Sequence, residues 1–163
     1  LVALCWWAMM AVHELGHVIG ACITGGTVTR VVWHPLAISR TDVSPNPYPG
    51  IVAWSGPLCG ISIPLLCAVV VPKRCVSVRH VARFFAGFCL IGNGAYISAG
   101  SWGRVGDCRE MFYSGTPVWL MIAFGAATIP LGLFIWHRLG SMFSSESAAG
   151  PRRSVCGSGC RWR

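Results

Sequence analysis

Four long apolar segments constrain the fold of this chain more than any other feature of its sequence. They cover residues 1–23, 51–71, 81–99 (or 84–99) and 117–136, and a membrane-spanning helix needs about 20 mainly apolar residues. Only 11% of the 163 residues are charged, against about 25% in soluble domains. We therefore predict an all-α polytopic membrane protein with four transmembrane helices in a lipid bilayer.

The connectors between these segments differ in character. Residues 27–33 are β-branched and partly alternating, which predicts a short strand after the first helix. This strand would form an interfacial hairpin or offer an edge to an extended peptide. Residues 40–50 are polar and contain three prolines, which predicts a loop, and residues 72–83 predict a short basic connector.

Composition divides the chain into two parts. Residues 1–139 hold the apolar segments and form one membrane-embedded domain, whereas residues 140–163 are rich in serine, glycine and arginine and predict a disordered basic tail. Because Leu1 is not an initiator methionine, we expect a truncated N-terminus or an unusual start codon. We do not expect a signal peptide, since its cleavage would remove the histidine motif described below.

The net charge of +8 does not indicate a nucleic-acid partner, because the basic residues are scattered and flank apolar segments. Four spans place residues 72–83 and the tail on the same side of the membrane. The positive-inside rule predicts that this side is cytoplasmic. The basic residues on it are Lys73, Arg74, Arg79, Arg83, Arg138, Arg152 and Arg153.

The first apolar segment contains the motif His13-Glu14-Leu-Gly-His17 and is otherwise free of charge. Histidines four residues apart on a helix differ by about 40° in azimuth, so both can reach one metal ion from the same face. Glu14 can approach a metal-bound water without being a ligand, as in the HExxH motif of zinc metalloproteases. The alternative is a pair of inert histidines at a helix interface, but an unpaired glutamate in hydrocarbon is costly.

A catalytic zinc site uses three protein ligands and keeps a fourth position for water. We predict Asp107 as the third ligand, because it follows the third apolar segment in a glycine-rich stretch that can line a polar cavity. Glu110 is the second choice and His34 a weaker one. Asp107 would otherwise pair with Arg104 or Arg109, or cap a helix.

Nine cysteines make an odd number, and five of them lie in apolar segments, where cysteine behaves as a small hydrophobe. The other four, which could pair or bind metal, are Cys75, Cys108, Cys156 and Cys160.

A zinc site of this kind makes peptide hydrolysis the expected chemistry. Zinc lowers the pKa of its bound water to about 7, and Glu14 would accept the proton and deliver it to the leaving amine. Asn93, in the third apolar segment, is predicted to hydrogen-bond the substrate backbone or the oxyanion. An interhelical hydrogen bond is the alternative role for Asn93.

The sequence carries a combination of motifs beyond the histidine pair. Residues 24–35 follow the apolar segment that contains it, the second helix begins with Ala-Trp-Ser-Gly-Pro at residues 53–57, and Asn93 precedes Gly106-Asp107. Over residues 1–136 the chain resembles the site-2 protease family of intramembrane zinc metalloproteases, above all its small bacterial branch. The resemblance implies a bacterial cytoplasmic membrane, a zinc ion held by His13, His17 and Asp107, and roles for Glu14 and Asn93 as general base and substrate contact.

The expected function is therefore that of an intramembrane zinc metalloendopeptidase acting on single-span membrane proteins. Its substrates should carry helix-weakening residues, because a helix must unwind to expose a scissile bond. The alternative is a catalytically inactive, metalloprotease-like membrane scaffold or metal-binding protein, and a metal or proton transporter is a third class. Glu14 favours the protease, since metal binding alone requires no general base.

Overall fold

The computed structural model describes residues 2–33 and 39–148, with side-chain environments up to residue 140. Five helices and two strands occur in this part of the chain. They are α1 (Val2–Thr24), β1 (Val28–Val32), β2 (Arg40–Val43), α2 (Pro49–Val70), α3 (Val76–Gly103), α4 (Asp107–Tyr113) and α5 (Val118–Ala148).

The prediction of four membrane spans is confirmed. Helices α1, α2, α3 and the first 23 residues of α5 (Val118–Gly140) are each long and apolar enough to cross a bilayer. Inside hydrocarbon a helix satisfies its own backbone hydrogen bonds, so a long uncharged run of residues has little alternative. The fold is that of an integral multi-pass membrane protein.

A small antiparallel hairpin follows α1, as the β-branched residues predict. Strand β1 pairs with β2, with Val31 opposite Thr41 and Val32 opposite Arg40. The prediction of a loop over residues 40–50 is therefore wrong at its start, and also at its end, where α2 begins at Pro49. Arg40–Val43 has little strand signal of its own, and pairing with β1 supplies the hydrogen bonds that determine its conformation.

Helix boundaries differ from the predictions where polar residues continue a helix. Helix α3 begins at Val76, so most of the predicted basic connector 72–83 is helical. Helix α5 continues past the predicted domain boundary at residue 139 to Ala148, and residues 149–163 of the predicted tail lie outside the described chain. Arginine, histidine and serine are compatible with a helix that continues beyond an apolar segment.

Close helix contacts depend on glycines spaced by one or two turns. Gly16 on α1 lies against α2, where a Cβ would come within 2.8 Å of Cys59 Cβ and 2.9 Å of Gly56 Cα. In the α3–α5 pair, a Cβ at Gly125 or Gly132 would come within 2.7 Å of a backbone oxygen of α3. Without a hydrophobic driving force in lipid, such small-residue contacts hold membrane helices together. The contact of α1 with α2 lies at the histidine motif, because Gly16 is one of its residues.

Candidate metal centre

Helix α1 carries His13, Glu14 and His17 into the interior of the helix bundle. Their exposed fractions are 9%, 5% and 4%, which is low for residues that are polar or charged. The two imidazole rings lie on one face of the helix with their centroids 4.8 Å apart. The spacing of the motif thus produces the shared face that the sequence predicts.

Asp107 reaches the histidines because the chain turns sharply between α3 and α4. Gly106, the residue before α4, has φ +57°, a backbone conformation that residues with a side chain adopt rarely. A Cβ at Gly106 would also overlap the hydroxyl of Tyr96. The same hydroxyl accepts the backbone N–H of Asp107 at 3.1 Å. Tyr96 therefore fixes the position from which the Asp107 side chain projects.

Three donor atoms from two distant parts of the chain meet at one point. Asp107 Oδ2 lies 2.9 Å from His13 Nε2 and 3.3 Å from His17 Nε2. Within the described residues, these three side chains form the group whose ligand atoms lie close enough to hold a metal ion, all within 4.8 Å of one another. Two imidazole nitrogens and one carboxylate oxygen are a common donor set for zinc and other transition metals.

The Nδ1 atom of each imidazole ring is hydrogen-bonded to an acceptor. His13 Nδ1 lies 2.7 Å from Asn93 Oδ1, and His17 Nδ1 lies 2.8 Å from the carbonyl oxygen of Val52. Asn93 donates its Nδ2 to the carbonyl of Cys89 at 2.9 Å, so its oxygen faces His13. Each ring therefore donates from Nδ1, and in a neutral imidazole that leaves an unprotonated Nε2. Metal-binding histidines are oriented in this way by their outer partners.

The resulting cluster has an excess of acceptors. Burial on its own would raise the pKa of the Asp107 carboxyl, but the adjacent imidazoles of His13 and His17 hold that pKa well below its usual range. Asp107 is thus an anion facing two Nε2 atoms. With both rings neutral, three lone-pair donors converge without a proton between them. A metal cation satisfies all three, and the residues present therefore fit a metal ion.

Helix α2 forms the remaining wall of the metal position through Gly56. A Cβ at Gly56 would overlap His17 Nε2 and lie 2.9 Å from His13 Nε2. One turn later, a Cβ at Gly60 would lie 2.8 Å from Asn93 Oδ1. Any side chain at these two positions would occupy space that the ligands and Asn93 require. The two glycines are therefore part of the site as well as of the helix contact.

Glu14 lies beside the metal position but contacts a different element. Its Oε2 accepts a hydrogen bond from the Thr41 hydroxyl of β2 at 2.6 Å. Glu14 is not a member of the group of His13, His17 and Asp107. A carboxylate that is next to a metal site and not committed to the metal can act as a general base.

A cavity of about 620 Å³ opens onto His17 and Asp107 from the side of the hairpin. It is large enough for a peptide segment of a few residues, since ligand pockets range over about 300–1,000 Å³. Asn46 Oδ1 in its wall is buried and has no hydrogen-bond partner among the described residues. The lining residues are His17, Ser39, Arg40, Thr41, Asp42, Val43, Asn46, Pro49, Val52, Ala53, Tyr96, Gly106, Asp107 and Glu110.

The other predicted ligands take different positions. Glu110 lines the cavity one turn after Asp107 and is not part of the cluster. His34 lies outside the described residues. Arg104 and Arg109, the alternative partners of Asp107, lie instead over the rings of Phe112 and Tyr113 at 3.9 and 5.8 Å from the ring centroids.

Cys108 directly follows the carboxylate but belongs to the core. It is fully buried, and its Sγ lies 3.4 Å from the carbonyl oxygen of Ile97. Burial and the neighbouring Asp107 raise the pKa of the Cys108 thiol to about 11. A neutral thiol is a poor metal ligand, so Cys108 anchors α4 to α3.

Asn93 is placed differently from its predicted role as a substrate contact. Its exposed fraction is 2%, and both ends of its amide are used by His13 and Cys89. The alternative of an interhelical hydrogen bond describes this arrangement. A direct contact between Asn93 and substrate stays a prediction.

The sequence predicts that the small residues of the second helix, which include Gly56 and Gly60, pack against the first helix. It assigns no role in the site to Gly56, Gly60 or Thr41, although the two glycines left a signal. Gly16 and Gly20 on α1 and Gly56 and Gly60 on α2 form two small-xxx-small patterns, which typically face each other in membrane helices. Because the first pattern overlaps the histidine motif, the second could have been placed against it. Thr41 left no signal, since its role depends on how the hairpin folds back over α1.

No protein-family model matches this chain. Comparisons with curated proteins and with solved structures find no match either.

Proposed function

We propose that this chain is an intramembrane zinc metalloendopeptidase of the site-2 protease type, which hydrolyses peptide bonds in single-span membrane proteins. The observation that supports it best is the convergence of His13 Nε2, His17 Nε2 and Asp107 Oδ2 beside Glu14, a carboxylate outside the ligand group. Two histidines and one carboxylate with a free fourth position are the ligand pattern of catalytic zinc.

The donor distances suit a tetrahedral zinc ion. Ligand atoms about 2.0–2.1 Å from such an ion lie ~3.3 Å from each other. The distances from Asp107 Oδ2 to the two Nε2 atoms are 2.9 and 3.3 Å. When bound, zinc supplies a Lewis acid that polarises a carbonyl and lowers the pKa of water to about 7.

The side chains of this protein divide the remaining work. Glu14 accepts a proton from the attacking water and gives it to the leaving amine. Asn93 and the Val52 carbonyl hold the two histidine rings in the tautomer that keeps Nε2 unprotonated. The bundle limits access of bulk water, because the histidines and Glu14 are almost fully buried.

The cavity beside the hairpin is the proposed substrate position. Its lining includes Asp107, His17 and Asn46, so a peptide in it would lie next to the ligands. The buried Asn46 Oδ1 can accept a peptide N–H. A transmembrane helix does not offer a free backbone N–H, which supports substrates that unwind locally.

Charge supports one orientation of the chain. Lys73 and Arg74 precede α3, Arg79 and Arg83 lie in its first turns, and Arg138 lies near the end of the fourth span, so we place this side in the cytoplasm. The histidines lie about midway along α1, which puts the site within the bilayer in either orientation.

The experiment uses purified protein in detergent micelles with a reporter whose single transmembrane helix contains glycine or proline. Wild-type protein should release two fragments with a new amine terminus, identified by mass spectrometry. Glu14→Gln should lose more than about 100-fold in turnover and keep its zinc. Unchanged cleavage by Glu14→Gln would refute the proposed mechanism. A reporter left intact by the zinc-loaded wild-type protein would favour the metal-binding scaffold.

A further inference from the structure

The hairpin that follows α1 folds back over the same helix as far as the histidine motif. Glu14 lies ten residues before the end of α1 at Thr24, which is about 15 Å along the helix axis. Strand β2 nevertheless reaches it, and the Thr41 hydroxyl donates to Glu14 Oε2 at 2.6 Å. A surface hairpin without a role in the site would have no need to extend to this depth.

Backbone hydrogen bonds close the base of the hairpin, and one of them joins it to the end of α1. Gly26 N–H donates to the Ala21 carbonyl at 2.8 Å, Ser44 N–H donates to the Thr27 carbonyl at 2.8 Å, and Thr27 N–H donates to the Pro45 carbonyl at 3.1 Å. These bonds set the direction in which both strands leave the helix. The position of Thr41 relative to α1 is therefore fixed.

Alternation along β2 separates two kinds of side chain. Arg40 and Asp42 form an ion pair with Nε and Oδ1 3.2 Å apart, as expected for residues two apart on one face of a strand. Thr41 lies between them and points to the opposite face, toward α1. A one-residue shift in the pairing of β1 and β2 would remove its hydroxyl from Glu14.

We propose that Thr41 is a positioning residue for the general base, an inference that rests on the proposed function. A glutamate has three side-chain torsions, and an ordered donor on a strand restricts them. The hydroxyl of Thr41 holds Oε2 of Glu14, which would leave Oε1 to accept the proton of the attacking water. The hairpin thereby becomes part of the catalytic apparatus through a single contact.

The test compares Thr41→Val, which keeps the shape and removes the hydroxyl, with Thr41→Ser, which keeps the hydroxyl. Thr29→Val is the matched control, because Thr29 is on the same hairpin and donates to the Asp42 carbonyl at 3.0 Å. For Thr41→Val we expect kcat to fall about 10- to 100-fold, the range for a lost hydrogen bond to a charged group. KM and zinc content should stay at wild-type values, Thr41→Ser should restore most of kcat, and Thr29→Val should match wild type.

Glu14→Gln in the same series separates this inference from the proposed function. If Glu14→Gln is inactive and Thr41→Val is as active as wild type, Thr41 does not position the base and the protease proposal stands. If Thr41→Val loses zinc or unfolds at lower temperature while Thr41→Ser does the same, the role of Thr41 is structural and the inference is wrong. If Glu14→Gln is as active as wild type, the proposed function itself fails.

Discussion

His13 Nδ1 lies 2.7 Å from Asn93 Oδ1, which joins the first membrane span to the third at the metal position. The contact determines which nitrogen of His13 carries the proton, and so which one faces Asp107. It also explains why a polar amide is buried at the middle of α3. An outer partner of this kind contributes to metal affinity as well as to helix packing.

Replacing Asn93 should weaken metal binding without removing a ligand. For Asn93→Ala we expect zinc affinity to fall about 10- to 100-fold, the usual effect of losing an outer-shell partner. Affinity is measured by competition with a chelator of known strength. Thr128→Ala is the control, because Thr128 is also buried but donates to Phe124 within α5. Equal losses in the two variants would indicate a general packing effect.

Gly56→Ala should abolish metal binding although it adds one methyl group. The added Cβ would overlap His17 Nε2 and lie 2.9 Å from His13 Nε2. Neither ring can move far, since each Nδ1 is hydrogen-bonded. Gly140→Ala is the matched control, because a Cβ there meets no atom within 4 Å. Stoichiometric zinc in purified Gly56→Ala, measured by atomic absorption, would contradict the assigned position of the metal.

The choice between Asp107 and Glu110 can be tested directly. Both acids are on α4 and line the cavity, but Asp107 alone of the two belongs to the ligand group. Asp107→Ala should lower zinc affinity by more than about 100-fold, beyond the effect of an outer-shell partner. Glu110→Ala should keep wild-type affinity. The reverse order of effects would make Glu110 the third ligand.

Asn46 provides a prediction about substrate binding. Its Oδ1 is buried in the cavity wall without a partner among the described residues. If a peptide N–H fills this place, Asn46→Ala should raise KM about fivefold, equivalent to one neutral hydrogen bond of about 1 kcal/mol. Asn46→Asp keeps an acceptor and should stay close to wild type. An unchanged KM in Asn46→Ala would exclude this contact.

The sequence predicts the membrane spans and the histidine pair, but not strand β2, and the difference has a physical reason. Spans and the histidine face depend on local properties, namely hydrophobic length and helical period, which a sequence displays directly. The sequence favours Asp107 as the third metal ligand because the chain has only five acidic residues from which to choose. By contrast, the strand Arg40–Val43 forms through pairing with β1, and a composition rich in polar residues conceals it.

Residues that act through close approach were the hardest to foresee. Gly56 matters because a Cβ at this position would lie 2.9 Å from His13 Nε2. Thr41 matters because the hairpin folds back over α1 and reaches Glu14. The polarity of Asn93 in an apolar helix predicts a functional or packing role for this residue. Its partner, His13, could not be named without the packing of α1 against α3.

The proposed activity requires a metal ion at His13, His17 and Asp107 that supports peptide hydrolysis beside Glu14. The direct measurement is reporter cleavage by chelator-treated protein before and after addition of Zn²⁺, with Mg²⁺ as the comparison ion. We predict that the treated protein is inactive, that one equivalent of Zn²⁺ restores cleavage in wild type, and that neither Mg²⁺ nor the Asp107→Ala background allows recovery. Full cleavage by metal-free wild-type protein would contradict the account.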